Sequence, residues 1–152
     1  MLINPMRSAL LALMAATALV GPATLLGAAP AEATTTRESR MVEKINHTRA
    51  NHGLPPLRVS PDLAAAAHAH SVSMAGQRTL FHTASLTSYC CWDVIAENVG
   101  TGFTLRGVHR SFLRSAPHRA NILDRRMQQV GIGIVSVGGR LWVTEVFRNP
   151  SR

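Results

Sequence analysis

Two histidines and one glutamate, His82, Glu97 and His118, are of the residue types that bind a divalent metal ion or transfer a proton. Each lies in a short segment without a long helical or strand pattern, where a side chain can be directed into a cleft. Two imidazole nitrogens and one carboxylate oxygen would leave one position on a zinc ion open to water, and such a water can attack an ester or amide bond. If a fold brings these three residues together, they are candidates to hold zinc or another divalent cation or to relay a proton; the sequence assigns no catalytic residue.

Each member of this trio also has a purely structural explanation. The imidazole of His118 could hydrogen-bond backbone and fix the loop after the preceding helix, and Glu97 could cap a turn or pair with Arg119. No local zinc motif of the H-E-x-x-H type is present to decide between the two explanations. The spacing alone leaves both open.

The remaining histidines show no metal-binding pattern. His68 and His70 are two residues apart on a predicted helix, roughly 200° around its axis, so they cannot bind one ion together. His70 shares an apolar stripe and is predicted to be a partly buried, hydrogen-bonded structural residue, whereas His68 is predicted to face solvent. The others are predicted to be surface residues: His47, His52 and His109.

The first 33 residues have the pattern of a secretory signal peptide. Arg7 supplies a positive charge, residues 10–26 are almost entirely apolar, and Ala31-Glu32-Ala33 fits a cleavage site. A transmembrane anchor is the competing interpretation, although Gly21-Pro22 interrupts the apolar run. We expect residues 34–152 to form one domain that is secreted or associated with the cell envelope, with no stable membrane span after cleavage.

The chain is strongly basic, with 16 Lys and Arg against 8 Asp and Glu and a formal net charge of +8. Such a charge attracts anionic surfaces such as phospholipid or wall polymers, and salt screens the attraction. The arginines are spread along the chain with few aromatic residues between them, so nucleic-acid binding is not expected.

The only two cysteines are neighbours, Cys90 and Cys91. A disulfide between adjacent residues is geometrically constrained, which argues against an ordinary structural crosslink. Free thiols, a vicinal disulfide and an intermolecular disulfide all remain open.

The pattern along the chain predicts helices first and strands last. A polar leader (residues 34–40) overlaps a predicted helix over 38–52, and Ser60-Pro61-Asp62 starts a second helix that ends at Gly76. Residues 77–103 are predicted to be loops, residues 105–113 a third helix and residues 118–123 a short turn. Apolar alternation around Gly138-Gly139 predicts an antiparallel hairpin. This order predicts an α+β domain in which helices cover a small antiparallel sheet.

The last predicted strand contains one acidic residue, Glu145, beside Val143 and Phe147. It is either a buried acid that needs a partner or an edge residue that faces water, and it stays outside the predicted site.

The order of short motifs resembles a bacterial member of the CAP superfamily, which includes cysteine-rich secretory proteins, antigen 5 and pathogenesis-related 1 proteins. The resemblance predicts a domain over residues 41–148. The motifs that carry it are Ile45-Asn46-His47-Thr48-Arg49, His52-Gly53-Leu54-Pro55-Pro56-Leu57, Phe81-His82-Thr83, Ala96-Glu97-Asn98-Val99, Pro117-His118-Arg119-Ala120-Asn121-Ile122-Leu123 and Val130-Gly131-Ile132-Gly133.

This resemblance implies an α-β-α sandwich with a cleft lined by His82, Glu97 and His118. Asn98 and Asn121 are expected to have structural roles. In eukaryotic members a second glutamate and a second histidine complete the cleft, and the corresponding positions here hold Ser115 and Arg126. The four-residue site of those members is therefore not reproduced.

Two functions are compatible with the resemblance. The first is a non-enzymatic exported module that binds an envelope or extracellular ligand, a lipid or a glycan, in the cleft. The alternative is a metal-dependent, protease-like hydrolase that uses the same residues. No serine lies in a nucleophile elbow and neither cysteine lies in a protease signature, so the binding module is the leading hypothesis.

Overall fold

The computed structural model describes residues 32–86 and 91–151, with side chains from residue 37 onward within those ranges. The predicted signal peptide therefore lies almost entirely outside the described residues. No helix in the described ranges is both long and apolar enough to cross a bilayer. The helices are α1 (Glu32–Asn51), α2 (Pro61–Gln77), α3 (Leu105–Arg114) and α4 (Ala116–Leu123), and the strands are β1 (Arg58–Val59), β2 (Trp92–Gly102), β3 (Gln129–Val137) and β4 (Arg140–Pro150).

The four strands form one sheet in the order β1-β3-β4-β2. Strands β3 and β4 form the predicted hairpin, with Val137 opposite Arg140 across Gly138 and Gly139. Both glycines have positive φ angles, +57° and +76°, which the tight turn requires. The sheet is mixed rather than wholly antiparallel, because the two-residue β1 pairs with β3 in parallel.

The prediction of loops over residues 77–103 is wrong for its second half. Residues Trp92–Gly102 form β2, which pairs antiparallel with β4 over nearly the whole length of both strands. Glu97 and Asn98 occupy successive buried positions in the middle of this strand. Polar residues at inward-facing positions remove the apolar alternation by which a strand is recognised.

One face of the sheet is covered by α2 at very short range. A Cβ atom at Gly131 would lie 2.1 Å from the backbone carbon of Leu63, and one at Gly133 would lie 2.2 Å from that of Ala67. Only glycine leaves room for a helix backbone this close to a strand. The two glycines therefore fix the distance between α2 and the sheet.

The other face of the sheet is covered by α1, α3 and α4. Their buried side chains form one core with β3 and β4, which includes Met41, Ile45, Val108, Phe112, Ile122, Ile132, Val143 and Phe147. With α2 on the opposite face, the three layers confirm the predicted α+β fold and its α-β-α sandwich.

Arg49 of α1 is fully buried in this layer. Its guanidinium donates to the carbonyl oxygens of Pro55, Ile122, Asp124 and Met127, at distances of 2.8 to 3.3 Å. Burial lowers the pKa of Arg49 below its ordinary value. The side chain ties α1 to the C-terminal end of α4 and to the connection that leads into β3.

Cys91 lies just before β2 with a positive φ of +67° and takes part in a disulfide bond. A free thiol at Cys91 is therefore excluded. Cys90 lies outside the described residues.

Candidate functional site

Glu97 lies near the middle of β2, which is an edge strand of the sheet. Its side chain is on the face covered by α2, since it alternates with Asn98, whose amide contacts α4 on the other face. Glu97 is 5% exposed. A carboxylate in this position needs hydrogen-bond donors from outside the sheet.

The loop that follows α2 supplies those donors and is attached to α2 by His70. The Nε2 atom of His70 lies 2.8 Å from the carbonyl oxygen of Phe81, and the two rings meet edge to face with centroids 5.0 Å apart. These contacts hold the loop beside β2. His70 therefore positions the residues that follow Phe81.

His82 and Thr83 bind both oxygens of Glu97. The Nδ1 atom of His82 donates to Oε1 at 2.8 Å and the backbone N–H of Thr83 donates to the same oxygen at 2.9 Å. The hydroxyl of Thr83 donates to Oε2 at 2.6 Å. Three donors thus hold the carboxylate in one orientation.

This arrangement fixes the tautomer of His82. Because the carboxylate of Glu97 accepts at both oxygens, the hydrogen of neutral His82 is on Nδ1, and Nε2 is left as a hydrogen-bond acceptor. The His82 side chain is 61% exposed while that of Glu97 is 1% exposed. The exposed part of the site is therefore an imidazole, oriented from below by a buried acid.

His118 approaches from the opposite face of the sheet, in the first turn of α4. Its Nδ1 lies 2.8 Å from the hydroxyl of Ser115, and its ring contacts that of Phe112 with centroids 5.1 Å apart. Partial burial lowers the pKa of His118, and a positive charge on His82 lowers it further.

Two asparagines connect α4 to β2. Asn98 donates to the carbonyl oxygen of His118 at 3.2 Å and to a carboxyl oxygen of Glu145 at 3.0 Å. Asn121 donates to Asn98 Oδ1 at 2.9 Å and to the carbonyl oxygen of Glu97 at 3.4 Å. The backbones of Glu97 and His118 are therefore held by one amide network formed by Asn98 and Asn121.

A model of the Cysteine-rich secretory protein (CAP) family matches residues 42–147 of this chain. The chain belongs to the CAP family. A curated relative is the Bacillus subtilis (strain 168) protein YkwD, described as uncharacterized, which is 27% identical over 118 residues; the match covers 71% of this chain and 46% of YkwD. The chain thus spans about half the length of this CAP relative.

Solved structures show the same fold. An outer surface protein of Borrelia burgdorferi is 16% identical with a TM-score of 0.71, covering 78% of this chain and 96% of that protein. An extracellular SCP-domain protein of Bacillus anthracis is 18% identical with a TM-score of 0.67, covering 80% of this chain and 44% of that protein. At these identities the likeness establishes the architecture of the CAP domain alone.

The two departures from the eukaryotic CAP pattern have their own local roles. Ser115, which the resemblance predicts at the position of the second glutamate, precedes α4 and hydrogen-bonds the imidazole of His118. Arg126, which the resemblance predicts at the position of the second histidine, forms an ion pair of 2.7 Å with Asp124. The Arg126–Asp124 pair orders the turn that leads into β3.

The predicted metal site does not form as a ready three-ligand group. Both oxygens of Glu97 are engaged by protein donors, and in residues 32–86 and 91–151 no three His, Cys, Asp or Glu side chains are placed to hold a metal ion. In each of the imidazoles of His82 and His118, Nδ1 has a hydrogen-bond partner and Nε2 has none within these ranges. The arrangement does not fit the predicted three-residue zinc site, because both oxygens of Glu97 already accept hydrogen bonds from the protein. Zinc binding therefore stays a prediction.

Three residues of this region lie outside the predicted site. Thr83 directly follows His82 in the sequence, so its role as the second donor to Glu97 could have been inferred from that motif. Glu145 is fully buried and accepts a hydrogen bond from Asn98, so it is a buried acid with a partner and not an edge residue that faces water. The prediction that His109 lies on the surface is wrong: it is 8% exposed, with Nε2 at 2.9 Å from the hydroxyl of Thr48.

Proposed function

We propose that this CAP domain is exported and binds an envelope or extracellular ligand, a glycan or a lipid headgroup, without transforming it. The observation that supports this most directly is the three-donor cradle around Glu97, which holds the exposed imidazole of His82 in one orientation. A neutral imidazole with a free Nε2 accepts a hydrogen bond from a hydroxyl group. Hydroxyl groups are abundant on sugars and on several lipid headgroups.

The carboxylates of this region are not placed to act as a general base themselves, so a hydrolase would have to use the exposed Nε2 of His82. Both oxygens of Glu97 accept from protein donors, and Glu145 is fully buried. A general base has to reach the attacking water or hydroxyl, and neither acid does so in this arrangement. Ser115 lies against His118, but the Nε2 of that imidazole has no orienting acid within the described residues, unlike the base of a serine hydrolase.

Export is supported by the signal-peptide pattern and by the descriptions of two structural relatives, one as an outer surface protein and one as extracellular. In such a location the cleft would meet wall polymers and the outer leaflet of a membrane. The net charge of +8 would bring the domain close to these anionic surfaces before the cleft is engaged.

A sedimentation assay with purified cell-wall sacculi tests the proposal. We expect His82→Ala to lower the bound fraction at least about tenfold, because it removes the acceptor and leaves Glu97 without one donor. The matched control is His47→Ala, which removes an exposed imidazole of α1 that hydrogen-bonds the side chain of Asn51. Equal binding by the parent protein and His82→Ala would remove the cleft from the binding mechanism.

The hydrolase alternative gives a different result in the same preparations. It predicts zinc binding by calorimetry near neutral pH, loss of that binding in His82→Ala, and release of soluble fragments that a chelator stops and zinc restores. Zinc-dependent release of soluble fragments would support the hydrolase and contradict the binding module. Binding to sacculi without release would support the binding module.

A further inference from the structure

A second cavity of about 450 Å³ lies at the hairpin end of the sheet, between the C-terminal end of α2 and the turn that joins β3 to β4. Its lining residue Phe103 lies six residues beyond Glu97 in the chain, or about 20 Å along an extended strand. We call this region the hairpin-end surface; its lining includes Ala75, Arg78, Phe103, Val137, Arg140 and Trp142.

The hairpin-end surface exposes large apolar groups at two turns. Phe103, directly after β2, is 69% exposed, and Val137, directly before the hairpin turn, is 45% exposed. Between them lie Trp142 and Ala75, which are 6% and 4% exposed. An exposed phenylalanine next to an apolar cavity is costly in water, and such patches commonly mark interaction surfaces.

The same surface is positively charged. Arg140 lies over the ring of Phe103 at 5.0 Å from the centroid, and Arg78 ends α2 with a left-handed backbone conformation. Neither guanidinium has an ion-pair or side-chain hydrogen-bond partner in the described part of the chain, and no acidic residue described there lines the cavity. Both cations are therefore available to an anionic partner.

We propose that the hairpin-end surface docks on an anionic phospholipid bilayer. Phe103 and Val137 enter the boundary between headgroups and acyl chains, while Arg78 and Arg140 pair with lipid phosphates. A second copy of this chain would present the same positive charge and be repelled. A soluble polyanion would satisfy the arginines but would leave Phe103 and Val137 in water, so the combination favours a bilayer.

This inference is independent of the ligand proposed for the cleft. The cleft uses side chains on the β2 edge, whereas the hairpin-end surface uses the turns at the end of the strands. A protein bound through this end would still have its cleft accessible from the side. Substitutions at one site should therefore leave the other unaffected.

Vesicle sedimentation tests the inference, with phosphatidylcholine vesicles that contain or lack phosphatidylglycerol. We expect binding only to the anionic vesicles, weakened by salt, and lowered about fivefold by Arg140→Gln. Phe103→Gln should lower it by about tenfold or more, because the ring leaves water only in the bound state. Melting temperatures identify any variant that is simply misfolded; Phe103 is too exposed for Phe103→Gln to be one.

The chain offers a matched control pair at the opposite end of β3. Arg58 and Val59 of β1 are also an exposed arginine and an exposed valine, the latter 57% exposed. Arg58→Gln and Val59→Ser should leave vesicle binding unchanged, and so should His82→Ala. Equal losses in the control pair, equal binding to neutral vesicles, or no effect of Phe103→Gln would each overturn the proposal, the last because it would indicate purely electrostatic attraction.

Discussion

Glu145 allows the strongest quantitative prediction, because it is a fully buried acid with one hydrogen-bonded oxygen. Asn98 donates to Oε2 at 3.0 Å, and Oε1 has no partner among the described residues. Burial raises the pKa of Glu145 from its ordinary 4.5 to about 8, and the hydrogen bond from Asn98 opposes part of that rise. At neutral pH the folded chain therefore holds Glu145 mainly as the neutral acid.

The sign of the resulting pH dependence follows from proton binding. Between pH 4.5 and about 8 the unfolded chain releases the Glu145 proton while the folded chain keeps it. The free energy of unfolding must then fall as pH rises, by about 1.4 kcal/mol per pH unit. The loss amounts to roughly 3 kcal/mol at pH 7 and to roughly 5 kcal/mol above pH 8. Such a loss is a large part of the total stability of a domain of this size.

Glu145→Gln should remove this loss, because glutamine has the shape of the neutral acid and keeps an acceptor for Asn98. Urea denaturation of both proteins from about pH 5 to pH 9 measures the difference in unfolding free energy. We expect the variant to gain stability over the parent as pH rises, by roughly 3 kcal/mol at pH 7. The difference between the two curves cancels histidines such as His109, which titrate in both proteins.

A matched control replaces an exposed carboxylate of α1 by Glu43→Gln. A stability difference between parent and Glu145→Gln that stays constant across this pH range would refute the reasoning, because Glu145 would then titrate alike in the folded and unfolded chains. A variant of lower stability at every pH would show that the carboxyl proton makes a contact that an amide cannot replace.

Three further predictions concern the packing and the cleft. Gly133→Ala should lower the free energy of unfolding, measured by urea denaturation, by more than about 3 kcal/mol, because its Cβ would lie 2.2 Å from the helix backbone. The control Gly76→Ala has open space around its Cβ and should raise the same free energy by about 0.5 to 1 kcal/mol. Arg49→Lys should cost about 3 kcal/mol in the same assay, because one ammonium group cannot reach all four carbonyl oxygens; a loss below about 1 kcal/mol would contradict this role. His82→Gln should raise the pKa of His118, observed by NMR titration of its ring protons, because a positive charge near it is removed; an unchanged pKa would show that the two rings do not interact.

Elements whose residues agree with a single pattern could be predicted from the sequence. The first two helices follow from apolar spacing and from Pro61 at the start of α2, and the hairpin follows from Gly138-Gly139. β2 could not be predicted this way, because Glu97 and Asn98 place polar side chains on both of its buried faces. These two polar residues interrupt the apolar pattern by which a strand is recognised, as is expected at a candidate functional site.

Long-range contacts account for most of what the sequence could not supply. Arg49 lies within the helix predicted over residues 38–52, but its four carbonyl acceptors lie between Pro55 and Met127 and are brought together only by the fold. His109 is buried because α1 places Thr48 beside it. The interaction of His82 with Glu97 likewise depends on a loop that α2 holds in place. Such partners are visible in a sequence only through resemblance to a family.

The position of the site on an edge strand connects its structural and functional roles. An unpaired strand edge exposes backbone groups that could pair with another chain, and proteins commonly cover such edges. Here Asn121 donates to the edge carbonyl of Glu97, and the loop bearing His82 and Thr83 covers the same stretch from the other side. Within the described residues, side chains complete this stretch of the edge: His82 and Thr83 from one face of the sheet and Asn121 from the other. The side chains that cover this stretch of the edge strand thus include His82, a residue of the predicted site, and they hold the side chain and backbone of Glu97.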